Sequence, residues 1–417
     1  MNRPALVGNN VSHMKQHNLS AILQMLLHYE PLSRARLAEL TGLSSTTITN
    51  LIAELLEQGI VAEIGVLPSA HRSVGRPRTL LRLERQARHA IGIHIGVGSV
   101  RVAVADLRAH LSPPLALDHP LERTPEEVLA DVADLVCAAI EQSGVSRRTI
   151  LGVGVGASGL VNLQTGVNVL APNLGWRDVP IRDLLSERLG LPVVVDNNAR
   201  AMALGEAMFG AGRDAHALAF VYARIGVGAG FVVDGRLFRG TAAGAGEIGH
   251  TTVIPYGGDP CRCGNTGCLE TLVSEPSIVR RAVALAAADE NSLLAKHLRQ
   301  GQGSAFERVL AAARAGDAAT LAMLREQARY LGIALANLVN ILNPDLIVLG
   351  GICDQGQDIL MPEIESTVRE RAFGGLGERV RIQTPSFGAY AGIVGAAALA
   401  LERFFYREPD YALEESL

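Results

Sequence analysis

Leu19, Ile22, Leu23, Leu26 and Leu27 recur at helical spacing and predict a helix up to Tyr29, which Pro31 and Leu32 break. Ser33 can cap a second short helix, RARLAELT, closed by Gly42. Ser44 then caps a third, reaching to around Gln58, with Ile48, Leu51, Ile52, Leu55 and Leu56 on its apolar face. Two helices joined by a short turn around a glycine predict a helix-turn-helix. After Gly59, the runs VAEIG and TLLRL read as the arms of a hairpin. Together they predict a winged helix over residues 1–85.

From Ala90 the pattern changes. AIGIHIGVG and VRVAVAD predict two short apolar strands around a glycine turn. Further β-rich runs occur at Leu151–Gly156, Val193–Val195, Ala217–Tyr222, Gly230–Val233 and Leu346–Leu349. Helical stretches at Pro125–Glu141, Ala199–Met208 and Thr320–Leu342 separate them, which predicts an α/β domain over residues 86–405. The glycine turn recurs as RIGVGAG at 224–230 and suggests two related lobes. Residues 282–325, rich in alanine and charge, read as surface helices, and residues 406–417 as a C-terminal tail.

A chain of 417 residues exceeds the size at which one core stops growing, and its apolar fraction of 48% supports well-filled cores. The net charge of −4 is unevenly spread. Residues 1–85 hold nine Lys and Arg against six Glu and no Asp, and five of those arginines lie between Arg72 and Arg85. That bias suggests an anionic partner for the winged helix. The first twenty residues contain no apolar core of a signal peptide, and no uninterrupted apolar run long enough to span a bilayer follows. The expectation is a cytoplasmic protein with no membrane partner.

Three of the five cysteines, Cys261, Cys263 and Cys268, lie within eight residues, with His250 eleven positions ahead. Ordinary buried thiols would not cluster so tightly. Three sulfurs and an imidazole predict a closed tetrahedral site for one structural zinc ion. In the winged helix, Ser45, Thr46, Thr47, Thr49 and Asn50 at the start of the third helix are the candidate base-edge contacts. Arg72, Arg76 and Arg78 at the hairpin tip are candidates for the minor groove. In the α/β domain, polar residues gather at GASG (156–159), NLGW (173–176), DNNAR (196–200) and at Glu247 and Glu270. Amides and carboxylates beside strand ends, with few positive charges, suit a neutral polyhydroxylated ligand better than a phosphate ester. The run DNNA could equally cap the helix that begins near Ala199.

With these motifs, and above all GAGEIGHTTV…CRCGNTGCLE, the chain resembles the ROK family of bacterial sugar repressors and sugar kinases over essentially its whole length. It is most similar to the repressor branch, which includes the xylose and N-acetylglucosamine repressors and Mlc. The resemblance implies a two-lobed, ribonuclease H-like ROK domain of the actin and hexokinase type. It places zinc on His250, Cys261, Cys263 and Cys268, and a sugar near Ser158, Gly159, Asn173, Asn197, Asn198, Glu247, His250 and Glu270. Three departures separate the chain from the family's kinases. Their first phosphate turn, Asp-Gly-Gly-Thr, corresponds to His94, Gly96, Val97 and Gly98, and their second, Gly-Thr-Gly, to Arg224, Ile225 and Gly226. Their catalytic Asp falls at Asn198. The resemblance therefore implies a non-catalytic repressor, a homodimer or dimer of dimers on an inverted-repeat operator, released by a monosaccharide, with xylose or glucose favoured. The competing expectation is an ATP-dependent sugar kinase.

Overall fold

The computed structural model describes residues 11–66, 79–241 and 244–407. The reader consists of α1 (Val11–Tyr29), α2 (Arg34–Thr41) and α3 (Ser45–Glu57), followed by a wing. Its caps are those the sequence predicts. The Ser33 and Ser44 hydroxyls accept from the backbone N–H of Arg36 and Thr47, and Gly42 closes α2 at φ 71°. The wing pairs β2 (Val61–Val66) with β3 (Thr79–Leu83), and a two-residue strand, β1 (Leu32–Ser33), adds to β3. The wing tip, with Arg72, Arg76 and Arg78, lies outside the described residues.

The first lobe is built on β4 (His89–Gly96), β5 (Ser99–Asp106), β6 (Leu115–Asp118), β7 (Ile150–Ala157) and β11 (Val193–Asn197). A small antiparallel sheet of β8 (Leu160–Asn162), β9 (Val167–Ala171) and β10 (Trp176–Val179) follows β7. The second lobe has β12 (Ala217–Ala223), β13 (Val227–Val233), β14 (Arg236–Phe238), β15 (Leu346–Gly351) and β16 (Arg381–Gln383). The large sheets run β6-β5-β4-β7-β11 and β14-β13-β12-β15-β16. In each, three antiparallel strands are followed by two that join in parallel, so the lobes share one topology. The two glycine turns occupy equivalent places, one between β4 and β5 and the other between β12 and β13.

The first lobe's outer helices are α4 (Pro125–Ser143) and α5 (Ile181–Leu189), and α6 (Asn198–Phe209) follows β11. Between the lobes α6 packs on a second buried helix, Ala391–Leu401. That second helix was not predicted, because it is apolar on every side and so has no amphipathic period. The segment Gly388–Tyr406 is long and apolar enough to cross a membrane, yet Ala391–Leu401 is wholly buried core. Glycines let it lie directly on the sheet, since a Cβ on Gly154 would sit 1.8 Å from the Ala396 carbonyl oxygen.

Two expectations need correction. Residues 282–325 are not simply surface helices, since Leu294, Phe306, Val309 and Leu310 belong to the second-lobe core and alanines allow the close approach. Residue 406 is not part of a tail: Tyr406 is 1% exposed and its hydroxyl donates to the Leu107 carbonyl. Its own carbonyl accepts from Ser20 and Gln24 of α1, so the end of the α/β domain anchors the winged-helix region.

Candidate functional site

The segment carrying the candidate metal ligands rides on the edge of the second sheet. Gly246 and Gly249 lie so close to β13 that a Cβ on either would strike a backbone carbonyl, at 2.0 Å from Ala229 and 2.2 Å from Val227. The segment then folds back on itself, with isolated bridges Thr252↔Cys268 and Pro260↔Thr266, and Gly267 at φ 68° passes tightly against Ile254. The ligand atoms of His250, Cys261, Cys263 and Cys268 all come within 4.8 Å of one another. His250 Nδ1 is 3.6 Å from the Cys261 sulfur, and the Cys263 and Cys268 sulfurs are 3.7 Å apart. Metal–ligand bonds of about 2.3 Å to sulfur and about 2.05 Å to nitrogen give tetrahedral edges of about 3.8 and 3.6 Å. These two edges therefore match a tetrahedral ion, and the four residues form a cluster that could hold one.

The three thiols differ electrostatically. The Asn265 backbone N–H holds the exposed Cys263 thiol below its usual value, while burial raises that of Cys261 and pushes that of Cys268 up to about 12. Cys263 is thus the most exposed and most readily ionised of the three thiols.

The candidate sugar residues stand on both lobes, Ser158, Gly159, Asn173, Asn197 and Asn198 on the first and Glu247, His250 and Glu270 on the second, and seven of the eight are half-buried, Glu247 alone being exposed. Asn198, the first residue of α6, donates to the Ser158 hydroxyl at 3.2 Å, and its oxygen accepts from the Ala199 N–H. Asn197 caps α6: its oxygen accepts from the Ala199 and Arg200 N–H groups and its amide donates to the Gly159 carbonyl. The alternative reading of DNNA as a helix cap therefore describes Asn197, whose polar atoms are engaged internally.

Glu270 accepts from the Val227 N–H at 2.8 Å and converges with Asn173 on the second glycine turn. A Cβ on Gly226 would lie 3.0 Å from the Glu270 carboxylate and 3.1 Å from the Asn173 amide. Glu247 completes this group. Although the residue as a whole is exposed, the surrounding protein crowds water from its carboxyl and raises it above the usual range; Glu270 adds to the rise, while His250 and Arg200 oppose it.

Sequence reasoning missed three arginines here. Arg262, within the metal loop, donates to the Asn173 oxygen at 2.9 Å and so ties the second lobe to the first across the cleft. Arg200 and Arg239 both grip Asp196, at 2.6 and 3.1 Å, and Asp196 and Arg200 are 0% and 1% exposed. No local pattern marks Arg239, which lies 43 positions from its partner.

The ROK family profile matches residues 90–403, and a winged helix-turn-helix DNA-binding profile matches residues 17–62. The chain belongs to the ROK family. A xylose repressor of Caldicellulosiruptor bescii is 30% identical over 97% of this chain and 100% of its own length. Among solved structures, a ROK family transcriptional regulator homologous to Escherichia coli MLC superposes with a TM-score of 0.82 at 29% identity, over 95% of this chain and 98% of that one. A ROK glucokinase from Streptomyces griseus, in complex with glucose and AMPPNP, superposes with a TM-score of 0.65 at 32% identity, over 75% of this chain and 98% of that one. This ROK chain thus has repressor-like relatives that span it end to end and a kinase-like relative that matches three-quarters of it.

At the first glycine turn, His94 packs against Gly392, where a Cβ would lie 2.6 Å from the ring. Burial, then the nearby charges of Arg101 and Arg224, depress its pKa to about 4, so the imidazole is neutral at physiological pH. In the reader, Ser45, Thr46, Thr49 and Asn50 are exposed and Thr47 is half-buried. Two of these hydroxyls serve the helix itself: Thr47 shares the Ser44 cap, and Thr49 donates to the Ser45 carbonyl. Ser45, Thr46 and Asn50 are therefore the polar groups best placed to reach a base edge.

Proposed function

We propose that the protein is a cytoplasmic, sugar-responsive repressor that binds an inverted-repeat operator as a homodimer or dimer of dimers and is released by a monosaccharide. The observation carrying this reading is that α6 links the cleft to the DNA reader. Its N-terminus holds Asn197 and Asn198, and its twelve residues, ten of them buried, span about 18 Å toward α1. Just beyond its end, Arg213 donates to the Leu27 and His28 carbonyls, capping the C-terminus of α1. The helix Ala391–Leu401, packed along α6, continues to Tyr406, which receives Ser20 and Gln24 from the same reader helix. A sugar that draws Asn198, Glu247, His250 and Glu270 together would shift α6 and its neighbour as a unit, and with them the angle of the reader.

Zinc is the ion best suited to the His–Cys₃ cluster, and when bound it would fix the imidazole of His250 in one tautomer and orientation. With Nδ1 facing the sulfurs, the His250 Nε2–H is the edge left to donate to a sugar hydroxyl. Xylose or glucose is the favoured effector, as the similarity to xylose repressors suggests.

A kinase is the less supported reading. Asn198 stands where family kinases carry their general base, and an amide cannot accept the hydroxyl proton, a defect worth about 10²- to 10⁴-fold. Asp196 is no substitute, because both of its oxygens are bound to arginines in the interior. A neutral His94 cannot replace an acid that holds magnesium.

Asn198→Ala and Glu270→Gln should leave operator affinity unchanged in a fluorescence-anisotropy titration while raising the sugar concentration needed for release by about tenfold or more. Normal release in both variants would remove these residues from the effector site.

A further inference from the structure

A cavity of about 790 Å³ lies where the reader meets the sugar domain, within the size range of small-molecule sites. We propose that it is a second ligand site, distinct from the sugar cleft, for a small carboxylic acid with an apolar body. Leu27 of α1 forms one wall, Met208 and Phe209 at the end of α6 another, and Phe387, Tyr390 and Val394 the third. Tyr390 is half exposed and stands at the mouth.

The polar atoms define the ligand's chemistry. Two guanidinium groups, Arg108 and Arg213, enter the cavity. Arg108 is paired with Glu30, yet its Nε is buried with no hydrogen-bond partner. Arg213 donates to two backbone carbonyls and makes no ion pair among the described residues, with the exposed Asp214 beside it in the chain. Two nearby carboxylates are engaged elsewhere. Glu206 accepts from Ser386 and the Ala211 N–H, and Asp106 accepts from His110 and its neighbouring backbone. Of the three hydroxyls in the wall, that of Ser112 accepts from the Val104 N–H, that of Ser386 donates to Glu206, and that of Tyr390 belongs to the half-exposed ring. With few free hydroxyls and a mostly apolar lining, the site suits a carboxylate that pairs with Arg213 while its apolar part fills the remainder better than it suits a sugar.

Such a ligand touches α1, the end of α6 and the guanidinium that joins them. Binding would change how firmly α1 is held and hence operator affinity, a consequence that rests on the repressor reading. The binding itself does not.

The test uses full-length protein without DNA or sugar and the fluorescent probe 8-anilinonaphthalene-1-sulfonate, an anion with an apolar body. The expected result is saturable binding of one probe per chain, displaced by 4-phenylbutyrate and not by 4-phenylbutanol. Met208→Trp, which fills the cavity, and Tyr390→Asp, which puts a negative charge at the exposed mouth, should each weaken binding by about tenfold or more. The Tyr390 variant guards against a folding defect in the other. Absence of saturable binding up to about 1 mM, equal displacement by acid and alcohol, or binding indifferent to both substitutions would overturn the proposal.

Discussion

Cys268→Ser should leave the purified protein without stoichiometric zinc and lower its sugar affinity by about 10- to 100-fold, while operator binding in the absence of sugar should persist. Cys268 is the ligand at the centre of the loop. It is fully buried, bridges to Thr252, and its sulfur lies 3.7 Å from that of Cys263. Serine offers a hard, weakly acidic hydroxyl in place of a thiolate, and the remaining three ligands no longer close a tetrahedron. On the proposed reading the damage reaches the cleft because His250 serves both the ion and the sugar and because Arg262, on the same loop, holds Asn173. Metal analysis and sugar calorimetry on the variant check both halves. Since ligation displaces protons from the thiols and the imidazole, zinc retention should rise with pH and fail first on the acid side. A variant that loses zinc yet binds sugar normally would separate the ion from the effector site.

Arg200→Met should cost about 3 to 5 kcal/mol of stability, because it removes a partner from a carboxylate that has no access to water. Asp196 is 0% exposed, and although Arg239 remains, it reaches only the other oxygen. The acid also accepts from the Asn197 N–H at the first turn of α6, so the start of that helix is disturbed as well. Urea unfolding gives the magnitude. The double variant Asp196→Leu/Arg200→Met should recover part of the loss, since an apolar pair avoids an uncompensated charge. A loss below about 1 kcal/mol in the single variant would mean that Arg239 alone satisfies Asp196.

What could be read from the sequence was local. Ser33, Gly42 and Ser44 announce the reader's caps because capping involves residues two or three positions apart, and the metal ligands are legible because all four lie within nineteen residues. Both lobes were recognisable from their glycine turns, although the shared strand order emerges only from pairing between distant strands. Long-range chemistry left no such trace. The Arg239–Asp196 pair, the Arg262–Asn173 tie and the Arg213 cap on α1 each join residues more than forty positions apart. The mostly polar first eight residues of α1 hid its first two turns, and the two-residue strand Leu32–Ser33 is too short to show any alternation.

The claim that sugar and operator oppose each other through α6 is tested most directly by measuring both affinities on one sample. Operator affinity is taken with and without saturating sugar, and sugar affinity with and without saturating operator. Thermodynamic linkage requires the two factors to be equal, and a working repressor predicts a common weakening of about 5- to 150-fold. A sugar that binds equally well to the free and the operator-bound protein would contradict the account.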